Sequence, residues 1–141
     1  MSEQENLRII GEAYEALNAH DLDGYTALLD ESYIWETGTL PAGPFVGREG
    51  ARQAMEMYYR AFPNLHYEIE QHIACGDYVT TRWRITATHE GDFLGIPATR
   101  REGDIHGCNV TTLKNGKIVH AWVYFCTGRV LHQMGMLPLP A

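Results

Sequence analysis

Asp104 and His106 stand two residues apart in REGDIHGCNV, a spacing that puts both on one face of a strand. A carboxylate beside an imidazole is an acid/base pair suited to proton transfer near neutral pH. Asn109 follows three positions later and joins them only if a bulge intervenes. Cys126 closes the stretch HAWVYFC. As a thiolate it would be a nucleophile or acid, provided a cationic or imidazole neighbour lowered its pKa from roughly 8.5. His106, on the neighbouring expected strand, is the available partner. Asp104, His106 and Cys126 are therefore the catalytic candidates. Each has a structural alternative: an exposed polar strand face for the first two, a small apolar filler for the third.

Other polar residues read less sharply. Arg82 and Arg84 share one face of a strand and fit a surface salt bridge with Glu68 or Glu70 on the adjacent strand. The seven histidines are scattered, with no HxH or HExxH pair, and the three cysteines, Cys75, Cys108 and Cys126, follow neither a disulfide nor a CxxC pattern. No metal and no organic cofactor is expected, since no ligand cluster, glycine-rich phosphate loop or haem motif is present. Trp35, Tyr58, Tyr59, Trp83, Trp122 and Tyr124 supply aromatic surface for a pocket or a core.

The positions of these groups depend on elements that the hydrophobic pattern outlines. Leu7, Ile10, Tyr14 and Leu17 recur at helical steps, and Asp21 is placed to cap a second helix over Leu22 to Leu29. Ser32 to Thr37 reads as a strand, GTLPAGPFVG as a loop, and Gly50 to Phe62 as a third helix stopped by Pro63. From Leu65 the period changes to two. Strands are expected over Val79 to Thr88, Ile105 to Leu113 and Ile118 to Cys126, the last pair joined by an Asn115-Gly116 hairpin. Val130, Leu131 and Met134 then carry a closing helical stretch. Helices first and an antiparallel meander after is an α+β pattern, with helices on one face of the sheet.

Composition narrows the function classes. The 141 residues fit one domain, and 45% hydrophobic with 21% charged residues is ordinary globular composition. A net charge of −7 without a basic stripe argues against nucleic acid and anionic membranes as partners. No cationic start precedes an apolar core, and no apolar run nears the roughly 18 residues of a membrane span. A reducing cytoplasm is the expected compartment.

The order of motifs resembles a known family. ALNAHDLDGYTALL, a short strand and GREGARQ are similar to the opening of the nuclear-transport-factor-2-like (NTF2-like) superfamily. RWRITATHEGDFLGIPATRR, NGKIVHAWVYF and VLHQMG resemble its SnoaL-like polyketide cyclase branch, over about residues 5 to 136. The resemblance implies one domain over 1–141 with an NTF2-like, cystatin-like cone: three N-terminal helices on a strongly curved antiparallel sheet enclosing a pocket. It further implies that Trp122, Tyr124 and Cys126 face inward, with Trp35 as another wall and Cys126 as the floor.

Position by position, the family chemistry is altered. The SnoaL-like pattern of Trp, three residues, then a catalytic Asp reads Trp122 to Cys126, and the partner His falls at Thr111. Against ketosteroid isomerase, the general base falls at Thr37 beside Glu36, the oxyanion Tyr at Ala13 next to Tyr14, and the protonated Asp at Asn109. Against limonene-type epoxide hydrolases, Arg-x-Asp reads Arg82-Trp83-Arg84, and their second Asp is Cys126. His89, in THEG, precedes a loop near the pocket rim and is expected to make a hydrogen bond across it.

Together these imply a cyclase, isomerase or hydrolase acting by cofactor-free acid/base chemistry on a hydrophobic, oxygenated ring or polyketide-like substrate. Tyr14, Trp35, Thr37, Tyr58, Trp83, Asn109, Thr111, Trp122 and Tyr124 are the expected substrate contacts. The alternative is a binding protein that keeps the pocket without catalysis. A homodimer through the open sheet face is expected in either case.

Overall fold

The computed structural model describes residues 2–137. The chain opens with α1 (Glu3–Asn18), whose first turn is capped by Ser2 Oγ, the acceptor for the Glu5 amide at 3.1 Å. Its inward stripe is Ile9, Ile10, Ala13, Tyr14 and Leu17. Asp21 caps α2 (Leu22–Ala27) as expected, accepting the Gly24 amide at 2.9 Å. Asp21→Ala is expected to cost about 1 kcal/mol, a fall of roughly 3 °C in Tm by thermal denaturation.

The second helix ends earlier than its apolar pattern predicts, because Leu29 already belongs to β1 (Leu29–Glu36). Within the expected loop, two residues form β2 (Phe45–Val46), which pairs antiparallel with β1. Then comes α3 (Gly47–Ala61), which begins three residues sooner than expected. Gly50 is required there, since a Cβ would stand 2.9 Å from the Phe45 carbonyl carbon.

The meander follows: β3 (His66–Cys75), β4 (Tyr78–Thr88), β5 (Glu102–Lys114) and β6 (Lys117–Phe125), and last α4 (Thr127–Gln133). The turn between β5 and β6 is Asn115-Gly116, with φ of 50° and 76°, the pair of left-handed residues that a tight hairpin requires. The six strands run in the order β2-β1-β6-β5-β4-β3. The expectation of a purely antiparallel sheet is corrected at one place: β1 pairs parallel with β6, so the sheet is mixed and its two edges are not joined. The helical part of the chain returns the first strand beside the last, and a crossover of that length permits the parallel pairing that hairpins forbid.

The main core lies between the sheet and the helices. Leu29, Tyr33, Val79, Trp83, Leu113 and Ile118 are buried from the sheet side, and Ala51, Ala54 and Met55 from α3. α1 packs on β3, and α3 packs on β1. A second, smaller cluster of Leu40, Ala61, Phe93 and Met134 closes one end. None of the described helices is long and apolar enough to cross a membrane.

His72 on β3 is half-buried, and its Nδ1 lies 2.8 Å from Thr81 Oγ1. Burial pushes this imidazole below its ordinary value of 6.5. The unfolded chain therefore takes up the proton first as pH falls. Stability is full above about 6.5 and declines below it, and the decline should be shallower in His72→Gln when denaturant midpoints are compared across pH.

Candidate functional site

The strand alternation decides which side chains meet. Along β4, Val79, Thr81, Trp83, Ile85 and Ala87 point toward the helices. The β4–β5 ladder is unbroken, so the opposed residues Gly103, Ile105, Gly107, Asn109 and Thr111 share that side. On β6 the inward set is Ala121, Val123 and Phe125. Between this surface and the ends of α3 and α4 lies a cavity with about 810 Å³ of atom-free space, counting its open mouth.

Its walls are largely aromatic and aliphatic. Trp35 and Phe125 come from the strands, Tyr58 and Phe62 from the end of α3, and Phe93 from the β4–β5 loop. Ile85, Ile105, Val123 and Val130 add aliphatic surface, and the exposed pair Arg101 and Glu102 stands at the mouth. Trp83 crosses the cavity because Gly107 opposite has no side chain: a Cβ there would be 2.5 Å from the indole Cη2. The indole Nε1 donates to Asn109 Oδ1 at 2.9 Å, leaving Asn109 its amide hydrogens.

His89 is 1% exposed. Its backbone is clamped to the returning chain, N–H to the Arg101 carbonyl and C=O from the Arg100 amide, each at 2.9 Å. Its Nδ1 accepts the Thr99 backbone N–H at 3.2 Å and lies 2.9 Å from Thr99 Oγ1. The expected bond across the loop is thus present. The other nitrogen, Nε2, is buried without a partner among the described residues, as is the Tyr58 hydroxyl. Burial raises the Tyr58 pKa above its ordinary range, which keeps the phenol protonated. Both residues line the cavity.

The three catalytic candidates lie elsewhere, and none of them lines this cavity. Asp104 and His106 are exposed on the outer face of the sheet, and Asn109 faces the opposite way because no bulge separates it from them. Asp104 receives both Arg84 Nε and Nη2, at 2.7 and 2.6 Å, and the Arg84 hydrogen bonds hold its carboxyl below the usual range. Arg84 also reaches Glu68 at 3.5 Å, the surface ion pair that the strand pattern predicts. His106 turns to Glu70, with Nδ1 3.1 Å from Oε1. Cys126 is exposed at the start of α4 and makes no side-chain capping bond there.

The expected substrate contacts divide. Trp35, Tyr58, Trp83 and Asn109 line the cavity. Tyr14 is buried in the core against Tyr67, with ring centroids 5.2 Å apart, and Thr111 is buried on β5 outside the lining. Thr37 hydrogen-bonds to the Val123 carbonyl at 2.7 Å, also outside the cavity. Trp122 stacks on His120 at 3.7 Å and Tyr124 is 47% exposed, so the inward orientation expected for them is reversed. Alternation puts Trp122, Tyr124 and Cys126 on one side but leaves open which side, and the apolar set Ala121, Val123 and Phe125 takes the interior. The free nitrogen of His89 had no sequence signal beyond its place in THEG.

The SnoaL-like polyketide cyclase family model matches residues 8–134. The chain belongs to that family. Solved structures agree on the SnoaL-like, NTF2-like α+β fold. AclR from Streptomyces galilaeus, named a candidate hydroxylase, is 26% identical with a TM-score of 0.85, covering 99% of this chain and 91% of its own. IdmH from Streptomyces antibioticus, named a candidate polyketide cyclase, is also 26% identical, with a TM-score of 0.76 and coverage of 91% and 96%. A SnoaL-like protein from Jannaschia sp. CCS1 is 19% identical at a TM-score of 0.87, covering 96% and 95%. No curated protein matches in sequence. Membership supports a small-molecule enzyme or binder, while this fold carries many chemistries and leaves the reaction to the site.

Proposed function

We propose that this SnoaL-like chain takes up a hydrophobic, oxygenated, ring-bearing molecule in the cavity and acts on it by cofactor-free acid/base chemistry. The observation that carries the reading is an aromatic-walled cavity holding two buried polar atoms without partners, Tyr58 Oη and His89 Nε2. Apolar pockets with a few placed polar groups are the usual form of small-molecule sites. The name borne by IdmH, a candidate polyketide cyclase, points toward polyketide-like substrates.

A binding role without turnover is the second reading, and one observation favours it. Among the described residues the only carboxylate lining the cavity is Glu102, which is exposed at the mouth, so none of them offers the ligand a buried carboxylate base. Hydrogen–deuterium exchange at the carbon beside the carbonyl of a bound bicyclic ketone, followed by NMR, separates the two. Exchange above the buffer rate supports the enzyme. Binding without exchange supports the carrier.

The proposal includes a homodimer through the outer sheet face, where Tyr78 and Tyr124 are about half exposed. Light scattering should then give twice the 15.9 kDa chain mass, and a clean monomer would contradict it. The three free thiols suit a reducing, cytoplasmic setting.

A further inference from the structure

We infer that the cavity carries a donor site for a ligand oxygen, and that the Nε2–H of His89 sets its preference for a carbonyl or enolate oxygen over an apolar group. This rests on the reading of the cavity as a ligand site. It goes further by naming the group bound and the residue that selects it.

The far side of the ring fixes where its proton sits. A backbone N–H can only donate, so the Thr99 amide at 3.2 Å requires a lone pair on His89 Nδ1. Thr99 Oγ1 accepts the Arg101 amide at 3.4 Å and lies 2.9 Å from Nδ1, which leaves its own hydrogen to point at the same lone pair. A neutral imidazole with an accepting Nδ1 carries its proton on Nε2. The loop therefore selects the tautomer and leaves an unshared N–H on a residue that lines the cavity.

The ring has little freedom to turn away. Phe62 packs against it at a centroid distance of 5.4 Å, and the backbone of His89 is held on both sides by the strand leaving the loop. Phe93 bridges Phe62 and Tyr58, at 5.2 and 5.9 Å, so the imidazole and the phenol belong to one aromatic end of the cavity. The Tyr58 hydroxyl is the second unpartnered group there. Asn109 has its oxygen engaged by Trp83, so it too offers hydrogens.

Three polar groups thus present donors, and the buried ones have no acceptor among the described residues. A buried donor left without an acceptor is costly, whereas hydrogen bonds to an oxygen that gains negative charge strengthen as it does so. The matching ligand group is a ketone, quinone or enolate oxygen.

The test uses 1-tetralone and tetralin, which share a bicyclic skeleton and differ by the carbonyl oxygen. Calorimetry on the wild-type chain should show the ketone bound on the order of tenfold more tightly. His89→Phe, which keeps an aromatic ring and removes the donor, should erase that preference while tetralin affinity is retained. Long-range ¹H–¹⁵N correlations on the wild type, which need no variant to fold, should show a protonated Nε2 and an unprotonated Nδ1. The Nε2 resonance should move with tetralone and stay in place with tetralin. Equal binding of the two probes, or a proton found on Nδ1, overturns the inference while the cavity remains a ligand site. Binding of neither probe overturns the ligand-site reading and the inference together.

Discussion

Trp83→Ala is expected to destabilise the fold by about 3–5 kcal/mol, among the largest effects of any single substitution in this chain. The indole is 1% exposed and meets Tyr67 edge-on at 5.8 Å. Its removal opens a void in the centre of the sheet and also leaves Asn109 Oδ1 without its donor. The surrounding strands are hydrogen-bonded on both sides and cannot close the gap. Trp83→Phe should cost less, since it retains much of the volume and loses the hydrogen bond. The converse substitution, Gly107→Val, should be damaging for the opposite reason. Its Cβ would stand 2.5 Å from both the indole and the Tyr124 carbonyl oxygen, and a backbone oxygen has no side-chain freedom to move away. Urea unfolding monitored by tryptophan fluorescence and by circular dichroism measures all three. A loss below about 1 kcal/mol for Trp83→Ala would contradict this account of the core.

Filling the cavity should separate its interior from the outer sheet face. Ile105 is partly buried and lines the cavity, so Ile105→Trp places an indole where the ligand would lie. Affinity for a bicyclic ketone is expected to fall on the order of a hundredfold, equivalent to about 2.7 kcal/mol. Cys126→Trp is the matched control at an exposed position outside the lining. It should leave affinity within about twofold, well under 1 kcal/mol. Cys126→Ala should preserve binding and any proton exchange, because the thiol does not face the cavity. Strong loss from Cys126→Trp with normal binding by Ile105→Trp would place the ligand on the wrong side of the sheet.

Local chemistry makes much of this architecture legible in the sequence. The apolar stripe of α1, the Asp21 cap, the stop at Pro63 and the Asn115-Gly116 turn each depend on a few neighbouring residues, and each stands where the pattern predicts. The change from helical to twofold periodicity likewise reflects which residues must bury together within one element. The motif order was equally informative about the family, since it spans most of the chain.

Orientation was a different kind of problem. In β6 both alternating sets are apolar, one Ala121, Val123 and Phe125, the other Trp122 and Tyr124, with Cys126 just beyond the strand. A one-residue choice of face exchanges them completely. The larger aromatics lie outside because β6 is paired with β5 on one edge and β1 on the other, with Val123 opposite Asn109 and Trp122 beside Glu36. The same long-range pairing carries Asp104 and His106 to the surface, where Arg84 and Glu70 meet them. His89 entered the cavity through contacts made ten residues away in the chain, and only the closed loop shows that one of its nitrogens is used and the other left free. Periodicity states which residues travel together, while the partner strands and the loop closure decide what they face.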